Sequence, residues 1–241
     1  MKRSLMSHLL ITLLFFLGSV SLSISQETVP SPPPPPPPPD DGPMIQAPPL
    51  RMIAPGIFEI DGCRILKKED RIEFPAEVNM DNGLLEYVLV GTSGKLHESL
   101  LRTRVSPYAI QISMLLLGLE GSMDPLAQQG QDKVPGGDRI QIRVSWKDEG
   151  NEKSVPVEQW IARGNEADDT IPWVFTGSVV MDGVFLAQVE KSIIAVYHDP
   201  AALIDHQLAE GINDEIWKVN STTVPATGTK VRVIVEKTVN H

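Results

Sequence analysis

Two short stretches concentrate side chains that can bind a metal or move a proton. The first is His97-Glu98, with Glu86 upstream. On a strand His97 and Glu98 point to opposite faces, so one of them at most lines a pocket with Glu86, and hairpin register decides which. A carboxylate with an imidazole or a second carboxylate would suit metal-dependent hydrolysis. The plainer reading pairs Glu98 with Arg102 or Arg104 at a strand end, an ion pair worth little. The second stretch runs from His198-Asp199-Pro200 to Asp205-His206. A helix starting at Pro200 would put His206 two turns beyond His198, near enough for zinc or another borderline cation. Helix capping by Asp199 and an exposed turn around His206 account for the same residues without a metal. The candidate binding residues are Glu86, His97, Glu98, His198 and Asp199. No residue is assigned as catalytic or as a metal ligand.

Other constellations are missing. There is no HExxH, no EF-hand order, no GxGxxG and no GxxxxGK[ST], and no GxSxG elbow. The acidic pairs Asp148-Glu149, Asp168-Asp169 and Asp214-Glu215 read as solvated loops. Cys63 is the only cysteine, which excludes an internal disulfide and a four-cysteine iron–sulfur cluster. A lone thiol of this kind is a small buried apolar residue. Asn220-Ser221-Thr222 matches a glycosylation sequon and is expected to stay unmodified. No cofactor is expected.

The element that must position these groups is the run Gly94 to Gly121. It reads as a strand feeding a helix: Ser106 as N-cap, Pro107 at the first position, then Tyr108, Ile112, Leu115, Leu116 and Leu119 at helical spacing. Ile110, Met114 and Leu117 make the flank apolar too, which predicts a helix covered on more than one side. Leu84–Val90 and Lys95–Thr103 are expected to form a hairpin ahead of it. Further strands are expected at Ile57–Ile60, Arg71–Val78, Arg139–Trp146, Trp173–Ser178, Val184–Val189, Ser192–Tyr197 and Lys230–Glu236. Ser122–Asp138 reads as a long exposed loop, Pro156–Ile161 as a helical turn, and Asp199–Leu208 as a short capped helix. Trp217, in Asn213–Asn220, should pack on the core. Short links favour antiparallel neighbours. The fold class is then α+β: a mainly antiparallel sheet packed around one buried central helix, with one or two short additional helices.

The chain opens with Lys2-Arg3, an apolar run from Leu9 to Val20, and small residues at Ser23 and Ser25. This is an export signal, residues 1–25, too short in its apolar part for a comfortable membrane span. Residues 26–55 form a proline-rich linker containing eight consecutive prolines, Pro32–Pro39. They set an extended polyproline II spacer. Residues 56–241 make a single globular domain. The whole chain carries a formal charge of −10, and losing Lys2 and Arg3 makes it more acidic. That argues against nucleic acid and anionic lipid, which need clustered cations. No stable membrane span remains after signal cleavage.

Several motifs in one order resemble a known family. The run VNMDNGLLEYVLVGTSGKLHESLL (Val78–Leu101) leads into SPYAIQISMLLLGL (Ser106–Leu119). DGVFLAQVEKSIIAVYHDPAALID (Asp182–Asp205) and NDEIWKVN (Asn213–Asn220) follow. Together they resemble the YdjY-like domain of exported bacterial proteins. The resemblance implies an exported protein, periplasmic or extracellular, from a family of largely unassigned chemistry. Some relatives are associated with iron–sulfur electron carriers, so a redox accessory role is one alternative. The family pattern often places a histidine near mid-helix where Gln111 stands here. The expected function is a non-enzymatic binding or accessory module, held off a surface by its spacer, for an unknown protein or small-molecule partner. The alternative is a metal-dependent hydrolase using His97, Glu98 and Glu86. Exposed clustering of Trp146, Trp160, Trp173 and Trp217 would mark a binding site; burial would make them core.

Overall fold

The computed structural model describes residues 48–164 and 170–238. The expected export signal, the proline run and Asp168-Asp169 lie outside the described residues. Alternating apolar and polar side chains write the longer strands. In chain order the strands are β1 (Arg51–Ala54), β2 (Ile57–Ile60), β3 (Cys63–Leu66) and β4 (Arg71–Val78). Next come β5 (Tyr87–Gly91), a helical turn at Leu96–Glu98, β6 (Ser99–Thr103) and helix α1 (Pro107–Leu116). A long loop leads to β7 (Asp138–Asp148), β8 (Asn151–Pro156), a turn at Val157–Trp160, β9 (Ile161–Arg163) and β10 (Trp173–Phe175). The two-residue strands β11 (Val180–Met181) and β12 (Val184–Phe185) precede helix α2 (Leu186–Glu190). The chain then forms β13 (Ser192–Ala195), β14 (Ile204–His206), a turn at Ala209–Ile212, β15 (Trp217–Val219) and β16 (Lys230–Lys237).

Eight of these strands close on themselves in the order β4-β16-β7-β10-β14-β13-β5-β6, with β6 returning to β4. The seam consists of the register partners Glu77↔Arg102 and Val78↔Leu101. The protein is therefore a mostly β closed barrel with two helices, not an α+β sheet around a central helix. The strand β4 is shared: its first half also carries β3, and through it β2 and β1, outside the barrel. On the other side β8 hangs from β7 alone. β9 pairs with β15, and β11 with β12, away from the barrel. Among the described residues no helix is long and apolar enough to cross a membrane.

The correction has a physical cause in α1. Ser106 does cap it, accepting from the Ala109 N–H at 3.2 Å, with Pro107 at its start. Its inward face holds Ala109, Ile110, Ser113 and Met114, all fully buried, and it packs against β3 and α2. The other face is not covered: Leu115 is 50% exposed. The flank Ile110, Met114 and Leu117 is buried and Leu115 is the open edge, so the helix covers the core from one side, and the barrel core forms around strand side chains such as Phe74, Leu89, Val144, Phe175 and Val233.

Three local expectations also change. β5 and β6 are not a hairpin but a parallel pair, Tyr87↔Ser99 and Leu89↔Leu101. The link Thr92–Glu98 carries the chain back, and the Asn79 amide holds it by donating to the Leu96 and Ser99 carbonyls at 2.6 and 2.7 Å. β13 and β14 are parallel as well, Ile194↔Ile204, so Asp199–Leu208 contains no helix and ends in β14. Finally, Val184–Val189 holds two strand residues and then α2.

Candidate functional site

The two parallel pairs flank the antiparallel pair β5–β13, which sets Tyr87 opposite Ala195. Both returning links, Thr92–Glu98 and Val196–Leu203, therefore meet at one end of the barrel. The Val196 and Tyr197 N–H groups donate to the Glu86 carbonyl at 2.8 and 3.1 Å, and the Glu86 N–H donates to the Glu98 carbonyl at 3.0 Å. The loop between α1 and β7 comes down on the same place, with the Gly130 N–H donating to the His198 carbonyl at 2.7 Å. Gly130 has φ +67°, and a Cβ there would stand 2.0 Å from the Tyr197 hydroxyl. Only glycine fits.

Side chains from these four segments form one polar chain. The Tyr87 hydroxyl, buried, donates to Asp199 Oδ2 at 2.8 Å. It accepts from Lys95 Nζ at 2.9 Å and from Gln129 Nε2 at 3.2 Å. Lys95 Nζ also donates to Gln129 Oε1 at 3.2 Å, while Gln129 Nε2 donates to Glu86 Oε2 at 3.0 Å. Lys95 stands 3.8 Å from Glu86. Burial, then the Glu98 charge, raises the Glu86 pKa above its ordinary value despite Lys95. Burial and the Asp199 charge push the Tyr87 phenol up as well, so it stays a neutral donor.

Beyond Asp199 lies a second, deeper cluster. Asp205 is fully buried and accepts from His198 Nδ1 at 2.7 Å, from the His206 N–H at 2.7 Å and from the Asp199 N–H at 3.1 Å. His206 donates from Nε2 to the Val196 carbonyl at 2.8 Å, and its Nδ1 accepts from the Leu208 N–H at 3.1 Å. Its ring lies between Trp173 and Trp217, with centroids 5.8 and 5.0 Å away. Burial lowers the His206 pKa. Among the described residues, His198, Asp205 and His206 are the group whose potential ligand atoms gather within 4.8 Å. The His206 Nδ1 lone pair is taken by the Leu208 N–H, and His198 Nδ1 and Asp205 Oδ1 by each other, so a metal held by these atoms would have to displace buried hydrogen bonds. The donor set does not fit a metal.

The five sequence candidates are thus distributed along this chain of contacts. Glu86 and Asp199 sit in the upper network, joined through Tyr87, Lys95 and Gln129. His198 belongs to the lower cluster. Glu98 lies at the rim beside Glu86, and His97, 74% exposed, reaches Glu98 alone at 3.3 Å. Glu86, His97 and Glu98 do not gather as one ligand set. Sequence reasoning missed Tyr87, Lys95 and Gln129, and its plainer reading made His206 an exposed turn residue, whereas it is fully buried. One signal was available: Asp205 and His206 interrupt an apolar run, Ala201–Leu208, where a strand would bury them.

The sequence profile of the YdjY domain matches residues 64–236. The chain belongs to the YdjY domain family. No characterised protein and no solved structure matches it. In this YdjY domain Gln111 on α1 has its amide oxygen buried without a partner among the described residues.

A different region of the YdjY domain is open. The outer faces of β4, β16 and β7 form the floor of a groove of about 450 Å³, with β2–β3 on one side and β8 on the other. Glu59, Arg64, Glu73, Lys147, Glu152 and Arg232 line it. Trp146 also lines it, half-buried, with its ring edge-on to the buried Trp160 at 5.1 Å. Arg232 faces Glu73 at 3.8 Å and Glu152 at 3.6 Å. Glu73 is also held by Arg71 at 2.8 Å and is largely buried, so Arg232 and Glu152 are the charges of the groove open to a partner. Trp160, Trp173 and Trp217 are buried core residues; Trp146 alone of the four meets the surface.

Proposed function

We propose that this protein is a non-enzymatic binding module, exported and held off a surface by its proline-rich spacer, that uses the groove across β4, β16 and β7 to hold an extended segment of a partner protein. The observation that carries this reading is the contrast in availability. The chemistry-bearing side chains at the barrel end bond one another under a loop, whereas the groove presents charges of both signs to solvent. A lining of mixed sign suits a polypeptide with its own alternating polar groups and disfavours a polyanion. The export part rests on the N-terminal basic and apolar residues and on the family resemblance.

A displayed library of extended peptides, read by the change in Trp146 fluorescence, tests the groove. Selected peptides should lose binding in Trp146→Ala and Arg232→Ala and keep it in Glu86→Gln. Binding that ignores Trp146 and Arg232, or stoichiometric bound metal with hydrolysis that depends on His97 and Glu98, would overturn the proposal.

A further inference from the structure

Lys95, Gln129 and Glu86 hold an amine, a carboxamide and a carboxyl group in mutual contact on two segments far apart in the chain. Lys95 Nζ donates to Gln129 Oε1 at 3.2 Å, so the carbonyl carbon bonded to that oxygen is the nearest electrophile to the amine. Gln129 Nε2, the nitrogen that would leave, donates to Glu86 Oε2 at 3.0 Å. Glu86 is also 3.8 Å from the amine, so one carboxyl group faces both nitrogens. Tyr87, fixed by Asp199, buttresses both partners. The Gly130 contact with His198 holds the loop in place. A fixed reacting pair of this kind replaces a bimolecular encounter with an intramolecular one, which lowers the barrier by supplying proximity and orientation in advance.

The geometry points to an intramolecular isopeptide bond between Lys95 and Gln129, formed with Glu86 as the proton carrier. Glu86 takes a proton from the Lys95 ammonium, and the freed Nζ lone pair attacks Gln129 Cδ. A new Cδ–Nζ bond forms and the Cδ–Nε2 bond breaks. Glu86 returns the proton to the departing Nε2, and the remaining amine proton follows. The Lys95 ammonium and the Gln129 amide thus become a secondary amide plus one ammonium ion, with no change of oxidation state and no co-reactant. A carboxyl group with a raised pKa carries protons in both directions more readily near neutral pH; burial and Glu98 place Glu86 in that direction. The product would join two segments of a chain whose single cysteine allows no internal disulfide.

Peptide mapping of the exported chain decides this. Trypsin should fail to cut after Lys95, and one branched peptide should join the Lys95 and Gln129 segments at a mass lower by one ammonia than their sum. Intact mass alone is ambiguous, because a chain that begins at Gln26 loses the same mass by cyclising. Gln129→Ala, Lys95→Arg and Glu86→Gln should each fold, by circular dichroism, and each lack the branched peptide. Cleavage after Lys95 in the wild-type protein, with separate linear peptides, overturns the proposal. A branched peptide that persists in Glu86→Gln overturns the assignment of Glu86.

Discussion

The two halves of the barrel treat polar residues in opposite ways. In β4, β16 and β7 the strands are long, antiparallel and wet on one face. Lys230↔Glu77 through Glu236↔Arg71 pair along one side of β16, and Val231↔Trp146 through Lys237↔Ile140 along the other. Their charged side chains stand outside, some in close pairs such as Arg71 with Glu73 at 2.8 Å and others, such as Arg232 with Glu152 at 3.6 Å, more open to a partner. In β5, β13 and β14 the strands are short, two pairings are parallel, and every residue is buried. A polar group placed there has no water to turn to, so it must be answered by another protein group. Tyr87, His198, Asp199, Asp205 and His206 are answered in this way. Burial rather than residue type separates a group that can recognise something from one that fastens the fold.

The sharpest way to break this comparison is to remove an acceptor from the closed half. Asp205→Ala strands three buried donors and should cost about 3–5 kcal/mol, read as a lower urea midpoint; a loss near zero would show that the cluster is not fastening anything. A smaller effect follows from His206. Its folded-state pKa lies below the ordinary 6.5 because the ring is buried. Above that value neither state binds a proton and stability is flat. As pH falls through 6.5 the unfolded chain takes up the proton and the folded one does not, so stability declines. Denaturation midpoints from pH 8 to 5 should show that slope, and the His206 ring signals should titrate at lower pH than those of a free imidazole. The open half gives the smallest effect. Arg232→Ala removes two solvent-screened pairs and should cost about 1 kcal/mol or less, while abolishing any peptide binding in the groove.

The same contrast explains what could be read in advance. Arg139–Trp146 and Lys230–Glu236 alternate cleanly, and both are strands with the expected wet face, because one-sided burial imprints period two on the sequence. The cap at Ser106 was equally local and is present. In the closed half both faces are covered, the alternation disappears, and short apolar runs lose their direction. Asp199-Pro200 then mimics a helix start where the chain turns into β14, and Leu186–Val189 mimics a strand where α2 forms. Parallel pairing of β5 with β6 depends on a returning link held by Asn79, a contact with no signature in either strand. Individual candidates were found by company: Glu86 lies on the strand expected to pair with His97-Glu98, and Asp199 lies in a stretch with two His and two Asp. Their joining through Lys95 and Gln129 could not be seen, because Gln129 arrives from a loop whose sequence reads as solvent-exposed. The groove was invisible for a related reason: its walls come from β2–β3 and β8, brought together only by the ring of strands between them.

The ring itself is fastened by a short clasp. Where β4 meets β6, two register partners complete the circuit, and across them Glu77 takes hydrogen bonds from Arg102 and Lys230. Those cations hold the Glu77 carboxyl down at about 2 instead of the ordinary 4.5. Its help is complete above 4.5 and drains away only as acidity approaches 2. Mild acid will therefore leave this clasp shut.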